Sequence, residues 1–121
     1  MSAKNFIWIV TLLFATAALF AESAAQKPVG QSPGPAAAQI AQGKKIYDAQ
    51  CAICHFAATT KKKIGPGLKG LSQRGAYADG KKVNDESLRA WIETGGKDMP
   101  GFRDRLKNGE IRDLIAYLKT L

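Results

Sequence analysis

The chain has 121 residues, of which 45% are hydrophobic and 23% are charged, and its formal net charge is +8. A chain of this length forms one domain, and so ordinary a composition excludes a largely disordered, collagen-like or coiled-coil protein. Two cysteines and one histidine are too few for a multi-disulfide scaffold, or for a zinc site without carboxylate ligands. The residues around that histidine do not suggest a triad-type hydrolase either.

The N-terminal residues 1–25 have the pattern of a secretory signal peptide. Lys4 supplies a positive charge, and the apolar run from Phe6 to Phe20 is broken only by threonines. Small residues follow the run, as is typical of a cleavage site. The run is shorter than the ~20 apolar residues of a transmembrane helix, which leaves an uncleaved anchor as the alternative. We therefore expect an exported, periplasmic protein that contacts the membrane only if this segment is retained.

Residues 26–38 are rich in proline, glycine and alanine, and Val29 is their one large apolar residue. Because little of this segment can be buried, it is predicted to be a flexible leader. The folded domain is then expected to occupy residues 39–121. A domain this small has a marginal core and usually needs a cross-link or a cofactor.

Both cysteines and the only histidine lie together in the segment Cys51-Ala52-Ile53-Cys54-His55. Two thiols three positions apart project from one side of a helical turn and can be attached to one planar molecule. The imidazole that follows can reach the centre of that plane, and this spacing is the attachment pattern of c-type haem. A thioredoxin-like redox pair and a structural disulfide are the alternatives, although the βαβ pattern typical of a redox pair does not surround these residues.

An iron bound by His55 needs a second axial ligand, and the sequence has no second histidine. Met1 leaves with the signal peptide, so Met99 is the remaining methionine. It lies in the glycine-rich segment 95–102, where Pro100 biases it toward an extended backbone. A thioether opposite an imidazole favours ferrous iron and raises the reduction potential. The alternative role for a methionine in a loop is to fill a gap in the core.

Three helices are predicted from the helical spacing of apolar residues, so the fold class is all-α. One face of the first helix carries Ile40, Gly43, Ile46, Tyr47 and Cys51. Asn84 or Asp85 can cap the second helix, and Gly95-Gly96 ends it. Asn108 can cap the third. The apolar side chains of the third helix are Ile111, Leu114, Ile115, Leu118 and Leu121.

From Gln39 to Leu121 the chain resembles a class I c-type cytochrome of the short bacterial monohaem kind. The features that carry the resemblance are the Cys51–His55 pattern, Gly43, Tyr47, the segment Gly65-Pro66-Gly67-Leu68-Lys69-Gly70, Arg74, Met99 and Tyr117. The resemblance implies a small helical domain wrapped around one covalent haem c. It also implies that the first and last helices cross beside the haem, where Gly43 permits a close approach and the two tyrosines fill the crossing.

The same resemblance implies roles for single residues. The Pro66 carbonyl is expected to accept the proton of the second nitrogen of His55, which fixes the imidazole tautomer and strengthens its donation to iron. Arg74 matches a family arginine near a haem propionate. Together the expected cofactor-binding residues are Cys51, Cys54, His55, Pro66, Arg74, Trp91 and Met99.

Three aromatic residues are less clear from the sequence. Trp91 is expected to pack on the haem near Met99, and the simpler alternative is a core tryptophan on an amphipathic helix. Phe102 either covers the haem edge or anchors its loop. No role is assigned to Tyr77, which lies in a glycine-containing connection.

The expected function is one-electron transfer between redox proteins by a protein that is not an enzyme, because His55 and Met99 leave the iron no position for substrate. The alternatives are a haem-based ligand binder or peroxidase-like enzyme with a labile Met99, and a cytochrome subunit of an exported dehydrogenase or oxidase. The lysines at 61–63, 69, 81, 82 and 97 are expected to steer acidic redox partners, with a merely solvated surface as the alternative. We expect a monomer without a nucleic-acid partner.

Overall fold

A computed structural model describes residues 34–121, which contain three α-helices and one short 3₁₀ helix. The helices are α1 (Pro35–Gln50), the 3₁₀ helix (Leu71–Gln73), α2 (Asp85–Thr94) and α3 (Asn108–Leu118). Residues 34–121 include no strand, only one antiparallel bridge between Ala76 and Lys82. The predicted all-α class is therefore confirmed. The predicted signal peptide and residues 26–33 of the predicted leader lie outside the described residues.

α1 begins at Pro35, before the predicted domain start at Gln39, so the assignment of residues 35–38 to a flexible leader is wrong. Proline at the first helical position loses no hydrogen bond, and its fixed φ already suits a helix. Residues 36–38 are alanines, which have the highest helix propensity. The proline and alanines that suggest a flexible leader therefore form the first turn of α1.

α1 and α3 cross in close contact at Gly43. A Cβ atom at Gly43 would overlap the backbone carbonyl of Asp113 and would lie 2.9 Å from the Cβ atom of Tyr117. Beside this contact the rings of Tyr47 and Tyr117 pack with their centroids 5.4 Å apart. The structure therefore has the crossing that the resemblance implies. The most deeply buried side chains of the core, Ile111 and Leu114, lie on α3.

α2 begins and ends where the sequence predicts. The Asn84 side chain accepts a hydrogen bond of 2.8 Å from the backbone N–H of Ser87, and Ser87 Oγ accepts one of 3.0 Å from the backbone N–H of Asn84. This reciprocal pair satisfies two N–H groups that have no partner within the helix. Gly95 ends the helix with φ of 70°, a left-handed conformation that favours glycine.

α3 differs slightly from its prediction. Asn108 is its first helical residue and not its cap. The backbone N–H of Lys107 donates to a carboxylate oxygen of Glu110 at 2.8 Å, which is the second half of a capping box. The helix ends at Leu118, and Leu121 lies beyond it, where its carbonyl accepts a hydrogen bond of 2.5 Å from the N–H of Gly70.

None of the helices in residues 34–121 has both the length and the apolar content needed to span a lipid bilayer.

Candidate haem-binding site

The segment that carries both cysteines and the histidine forms a tight turn directly after α1. The backbone N–H groups of Cys54 and His55 both donate to the carbonyl of Cys51, at 3.0 and 2.9 Å. Both cysteines are half-buried, and their sulfur atoms are not joined to each other. The turn therefore holds two thiols and one imidazole in a single compact unit.

The Cys51 thiol does not have the properties of a redox-active thiol. Burial raises its pKa to about 11, and the nearby Cys54 adds to this effect. A thioredoxin-like pair instead needs a cysteine with a lowered pKa, because the thiolate is the reactive form. Cys51 is therefore not the nucleophilic cysteine of a redox pair, and its sulfur atom is free to form a covalent bond.

His55 has a defined tautomer and ring orientation. Its Nδ1 atom lies 2.8 Å from the carbonyl oxygen of Pro66. A carbonyl oxygen can only accept, so Nδ1 donates and Nε2 keeps the lone pair that binds a metal ion. Gly65 lies directly against the ring, since a Cβ atom there would overlap the His55 Cε1 atom. The hydrogen bond that the resemblance implies is therefore present, and a glycine contact that the sequence did not predict accompanies it.

Tyr47 holds the backbone of His55 from α1. The Tyr47 hydroxyl donates a hydrogen bond of 2.7 Å to the carbonyl oxygen of His55. Burial raises the pKa of Tyr47 to about 12, so the hydroxyl stays protonated and able to donate. The sequence marked Tyr47 only as a packing residue of the helix crossing. A bond from the tip of its side chain to a backbone carbonyl eight positions away has no signature in the sequence.

Arg74 holds the loop that carries Pro66. Its Nη2 atom donates to the carbonyl oxygens of Gly67 at 2.6 Å and of Lys69 at 2.7 Å. The loop is also tightly packed, because a Cβ atom at Gly67 would overlap the carbonyl oxygen of Thr59. Charge-assisted hydrogen bonds are stronger than neutral ones, so Arg74 fixes the loop and with it the acceptor of His55. The contact between Arg74 and a propionate stays a prediction.

Met99 lies in a turn that is anchored to α2. The N–H of Gly96 donates to the carbonyl of Met99 at 2.8 Å, and the N–H of Phe102 donates to the carbonyl of Ile92 at 2.9 Å. The Phe102 side chain is buried, while Met99 is half-buried and packs against the core. Of the two roles considered for Phe102, loop anchoring is therefore the one that its contacts support.

Trp91 lies beside the same turn. It is half-buried on α2, and a Cβ atom at Gly96 would lie only 2.5 Å from its Cζ3 atom. The structure thus brings the predicted site residues into two groups. The first group contains Cys51, Cys54, His55, Pro66 and Arg74, and the second contains Trp91 and Met99. Packing of Trp91 on a haem stays a prediction.

These residues fit haem c. Two thiols from one turn can form thioether bonds, and His55 presents Nε2 as a metal donor. Met99 adds a soft sulfur atom, of the kind that opposes histidine in cytochromes. Among the described residues no cluster of three or more His, Cys, Asp or Glu side chains could hold a bare metal ion. His55 and Met99 together offer two donor atoms, the number that an iron bound by the four nitrogens of a porphyrin can still accept.

Comparison with known proteins agrees with this interpretation. Residues 38–118 match the family model described as cytochrome c oxidase, cbb3-type, subunit III. The chain is 33% identical to cytochrome c6 of Leptolyngbya boryana over 81 residues, which cover 67% of this chain and 91% of that protein. It is 29% identical to cytochrome c6 of Thermosynechococcus vestitus over 92 residues, which cover 74% and 77%. The structure of cytochrome c6 from the diatom Phaeodactylum tricornutum matches with a TM-score of 0.51 and 30% identity, covering 67% of this chain and 91% of that one.

The fold is small and helical, and a Cys-x-x-Cys-His turn directly follows its first helix. These two features define a protein to which haem is covalently attached. The chain belongs to the class I c-type cytochromes. It binds one haem c covalently through Cys51 and Cys54 and transfers electrons to and from other redox proteins. The predictions of the family, of the single haem c and of an electron-transfer protein rather than an enzyme are thereby confirmed.

Proposed function

We propose that this cytochrome is an exported one-electron carrier whose iron is held by His55 and Met99. Haem c supplies a one-electron Fe(III)/Fe(II) couple. The observation that carries the proposal is the 2.8 Å hydrogen bond between His55 Nδ1 and the Pro66 carbonyl, which leaves Nε2 as the metal donor. Met99 is the one methionine among residues 34–121. The turn that carries it is anchored to α2, which suits a permanent ligand of the iron. Two protein ligands limit rearrangement between oxidation states, so electrons move at little structural cost.

A second candidate is a cytochrome subunit of an exported oxidase. The family model that matches residues 38–118 carries the description of an oxidase subunit. The match to cytochrome c6 of Leptolyngbya boryana covers 91% of that protein, and this likeness over nearly the whole of a small cytochrome supports the carrier. Because both candidates use the same iron chemistry, co-purification with a larger redox enzyme would identify the subunit. A labile Met99, as in a ligand binder, is disfavoured by the anchoring of its turn through Phe102.

The proposed docking surface for redox partners surrounds Cys54. The strongly exposed large apolar side chains of residues 34–121 are Ile53 (71%), Phe56 (42%) and Ile64 (58%). The backbone N–H of Ile64 donates to the carbonyl of Cys54 at 3.2 Å, which places Ile64 beside the cysteine. The ammonium of Lys63 lies 5.3 Å from the ring centroid of Phe56, and the lysines at 61–63 are all exposed. Apolar side chains beside positive charges suit brief contacts with an acidic partner.

If partners dock on this surface, the rate of electron transfer depends on the salt concentration and on where on the protein a positive charge is removed. Oxidation of the reduced protein by the hexacyanoferrate(III) anion, followed by stopped flow, is expected to slow by roughly tenfold or more between ~10 mM and ~0.5 M salt. Lys62→Glu is expected to lower the low-salt rate more than Arg112→Glu, which changes the net charge equally on the exposed side of α3. A rate that does not depend on salt, or equal effects of the two substitutions, contradicts the proposed surface.

We further propose that the signal peptide within residues 1–25 is cleaved on export and that the mature protein is a monomer. The mass of protein isolated from the periplasmic fraction tests both cleavage and location. The expected chain begins after Ala21, Ser23 or Ala25, and a full-length chain in the membrane fraction contradicts cleavage. Size-exclusion chromatography tests the monomer, and a dimer at micromolar concentration contradicts it.

A further inference from the structure

Tyr77 lies in a turn between the 3₁₀ helix and α2, and the proposed function assigns it no role. Two hydrogen bonds close the turn, from the N–H of Tyr77 to the carbonyl of Lys81 at 2.8 Å and from the N–H of Val83 to the carbonyl of Gly75 at 3.0 Å. The Tyr77 side chain is half-buried and packs against the core. The turn therefore holds this ring in one place against α2.

The Tyr77 ring packs edge-on against Trp91. Their centroids are 6.1 Å apart and their planes are inclined by 63°, a favourable arrangement for aromatic pairs. The Tyr77 hydroxyl lies 3.4 Å from Ser87 Oγ, a long distance for a bond between hydroxyl groups. The ring, rather than the hydroxyl, is therefore the part of the Tyr77 side chain that packs on α2, and Ser87 Oγ separately donates a hydrogen bond of 2.6 Å to the carbonyl of Lys82 in the same turn.

Trp91 in turn contacts the segment that carries Met99. Its indole lies so close to Gly96 that a Cβ atom there would be 2.5 Å from Cζ3. The N–H of Gly96 donates to the carbonyl of Met99 at 2.8 Å. An unbroken series of contacts thus leads from the Tyr77 ring through the indole and Gly96 to Met99.

We propose that Tyr77 is a positioning residue that keeps Met99 in place by fixing the Trp91 indole against Gly96. The inference rests on the proposed ligation of iron by Met99. A segment with glycines at 95, 96 and 101 has little intrinsic rigidity, so the large indole beside it limits its movement. Without the Tyr77 ring the indole loses one of its supports, and Met99 spends more time away from the metal. Packed side chains transmit such displacements because protein interiors leave little free volume.

Imidazole binding to the oxidised holoprotein measures this effect, because imidazole must displace Met99. Its apparent affinity rises with the fraction of molecules in which Met99 is detached. Tyr77→Ala is expected to raise that affinity about tenfold, and Tyr77→Leu, which keeps an apolar side chain, is expected to raise it by at least about threefold. Tyr77→Phe keeps the ring and is expected to bind imidazole as the natural protein does. If the alanine variant fails to fold, the leucine variant decides the test.

A core substitution elsewhere provides the control. Leu118→Ala removes a buried side chain of α3 and is expected to lower the free energy of unfolding without changing imidazole affinity. Unchanged affinity in Tyr77→Ala and Tyr77→Leu, or an equal rise in Leu118→Ala, overturns the inference. If the natural oxidised protein lacks a sulfur-to-iron absorption band, Met99 is not the ligand and the proposed function itself fails. With the band present and the affinities unchanged, only the inference about Tyr77 fails.

Discussion

Replacing Met99 with alanine is expected to abolish the sulfur-to-iron absorption band of the oxidised protein and to lower its reduction potential. The decrease should be roughly 0.1–0.3 V, a part of the ~0.8 V range over which axial ligands set the potential of haem iron. The reason is that a thioether stabilises ferrous iron, whereas the water or hydroxide that replaces it stabilises ferric iron. Potentiometric titration with optical detection measures both quantities in one experiment.

Lys97→Ala provides the matched control for that substitution. Lys97 is exposed in the same turn, so its replacement disturbs the local chain without removing a donor atom for the metal. The control is expected to keep the band and to change the potential only slightly. A Met99→Ala variant that keeps both the band and the potential contradicts ligation by Met99 and leaves the thioether with a packing role.

Replacing Gly43 with alanine is expected to lower the free energy of unfolding by roughly 2–3 kcal/mol, as overpacking of a tight contact does. The new methyl group would overlap the carbonyl of Asp113, so α1 and α3 must move apart where Tyr47 and Tyr117 pack. Alanine favours the helix by about 1 kcal/mol relative to glycine. A net loss of stability therefore reports the contact between the helices and not helix propensity. Guanidinium-induced unfolding of the holoprotein, monitored by circular dichroism, measures it.

Gly109 offers the control for the crossing. It lies in the first turn of α3, where an added Cβ atom would meet only the flexible end of Arg112 at 3.8 Å. Gly109→Ala is expected to leave the protein as stable as before or to stabilise it by up to about 1 kcal/mol. If Gly43→Ala and Gly109→Ala have the same effect, the two helices do not depend on close contact at Gly43.

The parts of the molecule that could be predicted from the sequence are those whose chemistry is local. The attachment turn was found because Cys51, Cys54 and His55 stand within one short segment. The limits of α2 were found because Asn84 and Gly95 act on the nearest backbone groups. In such cases the interacting groups are neighbours in the chain, so the residue types and their spacing determine the contact.

The contacts that sequence analysis missed join residues across space. Tyr47 reaches the carbonyl of His55, Gly65 lies on the imidazole ring, and Tyr77 packs on Trp91. Each depends on where a turn places the chain, and apolar spacing contains no information about that. The glycines illustrate the difficulty, because a glycine required by a neighbouring ring looks in the sequence like a glycine required by a turn.

Two boundaries were wrong for a different reason. Composition suggested a flexible leader up to residue 38, although Pro35 starts a helix that three alanines continue. Asn108 is a favoured capping residue, yet in the structure Glu110 supplies the bond at the start of α3. In both places a local effect was given too little weight: proline at the first helical position followed by alanines at the start of α1, and a carboxylate that reaches back to a backbone N–H at the start of α3.

The absorption spectrum of the isolated protein, oxidised and reduced, tests the pairing of His55 with Met99 most directly. The predicted result is low-spin haem bands in both states and a weak near-infrared sulfur-to-iron band that is present only in the oxidised state. A colourless protein, or a high-spin five-coordinate iron at rest, would contradict an electron carrier whose metal is held by one imidazole and one thioether.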